Sequence, residues 1–329
     1  MSSLSGTPLG LTLPLRQCLR SIDMTLTLID SATATARILD APSESRDDLV
    51  REMWQPMAGM YHFIPGGPDL AAVHRQSFGF GTDCDTEGPI GQLREGLDAL
   101  IAADAWRRVE TALHTGIAAL EASVPDLTVP DLTVLLVLGD PTNRHFVDEV
   151  QGLSGFGGIS GYISLTLWPT PRVLDRLEAI AVHELHHNVR YSPGGVVWDP
   201  TTVTVGEHVV SEGLADVFAT ELYGDAGYTH FVAEKTRTDD AVLAKVASGL
   251  DVTGMQDFAA WVLGDATARM FGSTPVGLPT GAGYAAGARI VEAYRGATGR
   301  SAAEAVRAPA SEILTIALPR LGLADPRAI

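Results

Sequence analysis

The sequence predicts an α+β fold: a small, mostly antiparallel sheet beside a helix with a histidine-rich end, and helical regions before and after. Three observations carry this. Apolar residues recur at helical spacing over much of the chain, two short β-rich runs stand at 132–139 and 154–168, and a helical pattern follows them directly. With 329 residues, 46% hydrophobic and 19% charged, the chain has ample material for one large domain or two modest ones.

Residues 36–62 read as helical, with "SRDDLVREMW" an amphipathic turn after the start signals Ser43 to Ser45. Residues 63–90 are rich in glycine and proline and read as loop. Helical periodicity returns over 91–123, through Leu93, Leu97, Leu100, Val109, Leu113, Ile117 and Leu120. "LTVLLVLG" at 132–139, between Pro130 and Gly139, reads as a buried strand, and the glycine-rich 154–168 as an edge or bulged strand. A helix is expected from Thr170 to the Ser192-Pro193-Gly194-Gly195 stop, with Thr170 as N-cap and Pro171 at the first helical position. The next spans 204–224, opened by the Thr204/Glu207 capping-box pattern and closed by Gly224. Further helices are expected at 240–250, 255–271 and 284–299.

The formal net charge of −17 makes phosphate backbones and anionic lipid poor partners, so neither nucleic acid nor a membrane surface is expected. Cys18 and Cys84 read as two free thiols rather than a disulfide framework. The first 24 residues lack a signal-peptide layout, and the uncharged stretch 271–288 is too rich in glycine and proline for a membrane span. A cytoplasmic protein is expected, with residues 1–23 a tail or an extension ahead of a start at Met24.

"AVHELHHNVR" at 181–190 holds H-E-x-x-H. At about 100° per residue, His183 and His187 lie about 40° apart on one helix face, where both imidazoles reach one metal ion. Glu184 sits on the flank, displaced from the ligand position but close enough to touch a water on the metal. A polar surface turn is the competing reading. A catalytic zinc takes three protein ligands. The extended form H-E-x-x-H-x-x-G-x-x-H fails because Pro193 stands where its last histidine would be. "SEGLAD" on the next helix offers Glu212 as third ligand. Asp216, one turn on, can accept from the distal nitrogen of a ligand histidine. Gly213 is expected to let this helix approach the first one closely. A solvated acidic face is the alternative.

H-E-x-x-H followed by E-G-x-x-D resembles the thermolysin-like zinc peptidases, the gluzincins. "HELHHNVR", "SEGLAD" and "GYAAGARIVEAY" together look like a bacterial family of predicted zinc-dependent proteases of undescribed function, over roughly residues 120–300. The resemblance implies a zincin-like fold, one zinc per chain on His183, His187 and Glu212, Asp216 behind a ligand histidine, and Glu184 as general base. The chain is expected to divide into a tail (1–30), a helical N-terminal region (31–125), a zincin-like catalytic core (126–235) and a helical C-terminal region completing the active-site cleft (236–329).

Other residues compete for roles. His186, about 100° round the helix from His187, is expected to bond a carboxylate or face solvent, with contact to the metal or substrate as the lesser alternative. His208 is a rival ligand, and Arg190 pairs with an acid such as Asp216 or Glu212, or serves as a helix C-terminal cation. Tyr284, Tyr228, His230 and Tyr162 are candidates for an oxyanion donor, Tyr284 first. "GGISGYISL" offers an edge strand for an extended peptide. His62, His74, His114 and His145 show no metal spacing. The expected function is peptide hydrolysis. A zinc-stabilised binding or regulatory protein and a zinc hydrolase of a small amide are the alternatives.

Overall fold

The computed structural model describes residues 24–83 and 86–324. Cys18, Cys84 and the 1–23 tail lie outside the described residues. Strand β1 (Leu26–Leu28) opens the described chain, so part of the segment expected as tail belongs to the sheet. The helical pattern of 36–62 resolves into α1 (Ser31–Asp40) and α2 (Ser43–Trp54). Pro42, which has no N–H to continue α1, divides them. A short helix, α3 (Leu70–Gln76), stands in the expected loop, capped by Asp69, whose carboxylate accepts from the Ala71 N–H. The next periodic stretch is two helices, α4 (Glu87–Ala102) and α5 (Ala105–Ser123), broken at Asp104, which has φ of +56°.

β2 (Leu132–Leu138) follows, and 154–168 proves to be a hairpin of β3 (Leu153–Ile159) and β4 (Tyr162–Leu167) turning at Gly161. The sheet order is β1-β2-β4-β3. It is mixed, not mostly antiparallel: β1–β2 and β2–β4 run parallel, and only β3–β4 is antiparallel. The cause lies in β2, where six of seven residues are buried. A strand covered on both faces by crossover helices reads as one apolar run and suits a parallel neighbour. β3 is an edge, with its register shift between Phe156 and Ile159.

The helix expected from Thr170 to Gly195 is two: α6 (Pro171–Leu174), capped by Thr170, and α7 (Leu177–Arg190). α8 (Val205–Tyr223) follows, capped by the Thr204 hydroxyl. Then come α9 (Glu234–Arg237), α10 (Asp240–Ala247), α11 (Asp265–Met270), α12 (Ala282–Thr298) and α13 (Ala310–Ala317). α7 packs on β3, β4 and α5, and α8 lies between α7 and α12. The close approach expected of Gly213 is to α12, not α7: a Cβ there would strike the backbone of Gly287, and one on Gly287 would strike the Val209 carbonyl. No helix among the described residues is long and apolar enough to cross a membrane.

His74 shows what the amino-terminal core does with a polar group. The ring is fully buried, accepts from Trp54 Nε1 at 3.1 Å and pairs through Nε2 with the Phe80 carbonyl at 3.1 Å. Burial outweighs that carbonyl and pulls its pKa down to about 4. The unfolded imidazole takes up a proton near pH 6.5 and the folded one refuses it. The stabilisation is therefore complete above pH 6.5 and lost as the pH falls toward 4, by about 2–3 kcal/mol at pH 4.5. Urea unfolding of wild type and His74→Gln at pH 7.5 and 4.5 checks this; a gap between them that ignores pH would refute it.

Candidate metal centre

α7 and α8 are buried along their facing sides, and that contact brings three donors together. His183 Nε2 and His187 Nε2 lie 3.1 Å apart, and Glu212 Oε2 is 3.2 Å from the first and 3.1 Å from the second. His183, His187 and Glu212 form the one such group able to hold a metal ion found among the described residues. A tetrahedral ion with bonds of about 2.0–2.1 Å needs donors about 3.3 Å apart, so the spacing fits with small adjustment.

Both histidines are oriented from behind. His183 Nδ1 is 3.1 Å from Asp216 Oδ1, and a proton on that nitrogen turns the Nε2 lone pair inward. Asp216 is itself fixed by Thr229, whose hydroxyl donates to Oδ1 at 2.7 Å and whose N–H lies 3.3 Å from Oδ2. His187 Nδ1 meets the Ser211 hydroxyl at 2.9 Å. The sequence reading missed Ser211 and Thr229. The signal for Ser211 was that the second ligand histidine also needs a partner for its distal nitrogen, and Ser211 adjoins Glu212.

The electrostatics ask for a cation. Burial opposes a charged His183, but hydrogen bonds to Asp216 and Glu212 overcome it and raise its pKa well above the ordinary value. Burial likewise opposes Glu212, yet the two imidazoles hold its carboxyl well below the usual range. A proton between these donors satisfies one pair at a time, whereas a divalent cation satisfies all three.

Glu184 is buried beside them, and burial raises its carboxyl against the pull of His183 and His187. It sits directly under the edge strand. A Cβ on Gly155 would strike its carboxylate, and one on Gly157 its backbone. The alternate glycines of "GFGG" leave this face of β3 bare, a signal read from the sequence only as a bulge. Asn188, one turn after Glu184 and fully buried, ties the hairpin down. Its Nδ2 lies 3.1 Å from the Gly157 carbonyl and 2.9 Å from those of Ile159 and Tyr162, and its Oδ1 accepts from the Gly161 N–H at 2.9 Å.

The model of a family described as "Predicted Zn-dependent protease (DUF2268)" matches residues 113–315, well over half of the chain. The chain belongs to that family. The matched span carries all of α7 and α8 and reaches through α12 into α13. The chain is also similar to the Bacillus subtilis (strain 168) protein printed as "Uncharacterized protein YjfC", with 29% identity over 292 residues, 85% of this chain and 93% of that protein. No solved structure matches the chain.

Within this member of the predicted Zn-dependent protease family, the remaining candidates separate clearly. Tyr284, on α12, stacks on His183 with ring centroids 6.3 Å apart. Burial, then the nearby carboxylates, raises its pKa well above the ordinary value. The other three stand apart from the ligands. Tyr162 is packed against Gly59, His230 is held by the Val150 carbonyl at 2.8 Å, and Tyr228 lies under Arg237. His208 is outside the donor triad, its ring 4.6 Å from Phe258 and 6.5 Å from Trp198. His186 turns away into the core, toward the Ala302 carbonyl and Phe218. Arg190 pairs with neither Asp216 nor Glu212. Its guanidinium is bidentate on Glu207, at 2.7 and 2.9 Å, and its third nitrogen donates to the carbonyls of Val306 and Ala308. That draws the C-terminal segment onto the end of α7.

Proposed function

We propose that the chain is a zinc-dependent peptidase of gluzincin type with a zincin-like core. Three inward-facing donors at 3.1–3.2 Å beside a buried carboxylate support this reading best. His183, His187 and Glu212 would hold one zinc ion, which supplies a Lewis acid that polarises a carbonyl and acidifies water. Glu184 takes a proton from the attacking water and delivers it to the leaving nitrogen. Asp216 and Ser211 keep the imidazoles aimed, and Tyr284, stacked on His183, offers a hydroxyl to the developing oxyanion. The free edge of β3 gives an extended peptide a strand to pair with, directly over Glu184. The cysteine-poor, acidic composition suits a cytoplasmic enzyme acting on peptides.

Metal content of wild type and Glu212→Ala, by mass spectrometry on tag-free protein, is the first test. About one zinc per chain in wild type and at least a tenfold loss in the variant are expected. Peptide-library profiling of the zinc-loaded protein follows. Wild type without zinc after reconstitution, or a zinc-loaded protein that cuts nothing, refutes the proposal.

A further inference from the structure

α8 carries one more imidazole beside the metal centre. His208 lies one turn before Glu212 on the same face of the helix, which sets their Cβ atoms about 5–6 Å apart. Glu212 and His187 both act on the charge of its ring, so it stands within electrostatic reach of two of the three donors. The residue is only 7% exposed, and its Nε2 is sealed from solvent with no hydrogen-bond partner among the described residues. A buried polar atom left unpaired is costly, and native structures keep few of them without a purpose. The acids nearest to it on α8 are already engaged: Glu207 holds Arg190 and Tyr191, and Glu212 faces His183 and His187.

What covers the ring is apolar and partly open. Phe258 tilts against it with centroids 4.6 Å apart, and Trp198 meets it edge-on at 6.5 Å. Trp198 is 37% exposed in the 191–204 loop, beside Val197, which is 90% exposed. The exposed Met255 is tied to the same loop, its N–H donating to the Pro200 carbonyl at 3.2 Å. Exposed apolar groups gathered in this way mark a binding surface. Burial lowers the pKa of His208 against the pull of Glu212 and Glu207, so the ring is neutral at pH 7, with one N–H and one lone pair. Such a ring matches a neutral amide better than a carboxylate.

Resting on the peptidase reading, we propose that His208 is a substrate-binding residue, which hydrogen-bonds a backbone amide of the bound peptide beside the cleaved bond while Trp198 and Phe258 wall the large apolar side chain next to it. Consecutive residues of a peptide are about 3.8 Å apart, so the one turn of helix between Glu212 and His208 spans one or two residues of the substrate. Trp198, on its exposed loop, covers the ring until the peptide displaces it. The substrate class is peptides with a large apolar residue, such as Phe, Leu or Met, beside the cut.

The test uses zinc-loaded full-length protein and a fluorogenic peptide library, with wild type, His208→Leu, His208→Gln and Trp198→Ala compared at equal zinc content. Wild type is expected to favour a large apolar residue beside the cut at least tenfold over alanine, and Trp198→Ala, a change at a half-exposed loop position, should erase that preference. On the peptide cut fastest by wild type, His208→Leu should raise KM at least tenfold and lower kcat by less. Its Tm should be no lower than that of wild type, because the unpaired nitrogen is gone. His208→Gln, which keeps a hydrogen-bonding group, should recover most of the loss in KM. A packing role predicts the reverse order, with leucine tolerated between the two aromatic rings and glutamine not. Unchanged KM in His208→Leu, an equal rise in both variants, or a side-chain preference that is absent or survives Trp198→Ala overturns the proposal and leaves the peptidase reading intact. Zinc-loaded wild type that cuts nothing in the library sinks the peptidase reading, and the role of His208 falls with it.

Discussion

Glu184→Gln is expected to keep its full complement of zinc and to lose turnover by roughly 10²–10⁴-fold, the usual worth of a positioned general base. The three donors that hold the ion are elsewhere, so the metal has no reason to leave. The amide fills the same space beneath β3, where the bare Gly155 and Gly157 leave room for the Glu184 side chain. What changes is the ability to accept a proton. Burial already raises the Glu184 carboxyl, which makes it a better base than an exposed glutamate. Zinc content and kcat/KM on the same preparation read the two properties separately. A variant with undiminished turnover would remove Glu184 from the mechanism.

The second large effect is structural. Gly213→Val should cost more than about 4 kcal/mol and take the zinc with it. α8 crosses α12 with Gly213 and Gly287 in backbone contact, and a Cβ at either position meets main-chain atoms that cannot step aside. Forcing the helices apart moves Glu212, the neighbour of Gly213, away from the two imidazoles. Gly91→Ala is the control. It also lies within a helix, but a Cβ there meets nothing within 4 Å. It should be neutral or stabilising by up to about 1 kcal/mol. Urea unfolding with zinc measurement compares the two; similar stability of both variants would show that the crossing has room.

These two residues also illustrate what could be read from the sequence. The placing of His183, Glu184 and His187 on one helix, with Glu212 and Asp216 on the next, was legible because the chemistry itself dictates the spacing. Gly213 was legible only as a demand for closeness. A missing side chain does not say which neighbour needs the room, and α12 lies some seventy residues further along. The sheet departs from the expectation for a similar reason: the uniform apolar run of β2 signals burial, and only burial on both faces turns that signal into parallel neighbours. β1, with three residues, is too short to show alternation, and α3 is hidden in a stretch dominated by glycine and proline. Thr229 belongs to the centre only through the folded chain, with no spacing rule to reveal it.

Asn188 carries a consequence of its own. It sits four residues after Glu184 on the same helix and grips the turn from which β3 hangs. The offset between the Glu184 carboxylate and β3, the strand proposed to align a peptide, is thereby set within one turn of α7. The 191–204 loop and the segments after α9 lie outside this clamp. On the peptidase proposal, changes in them would leave the placing of Glu184 against β3 untouched.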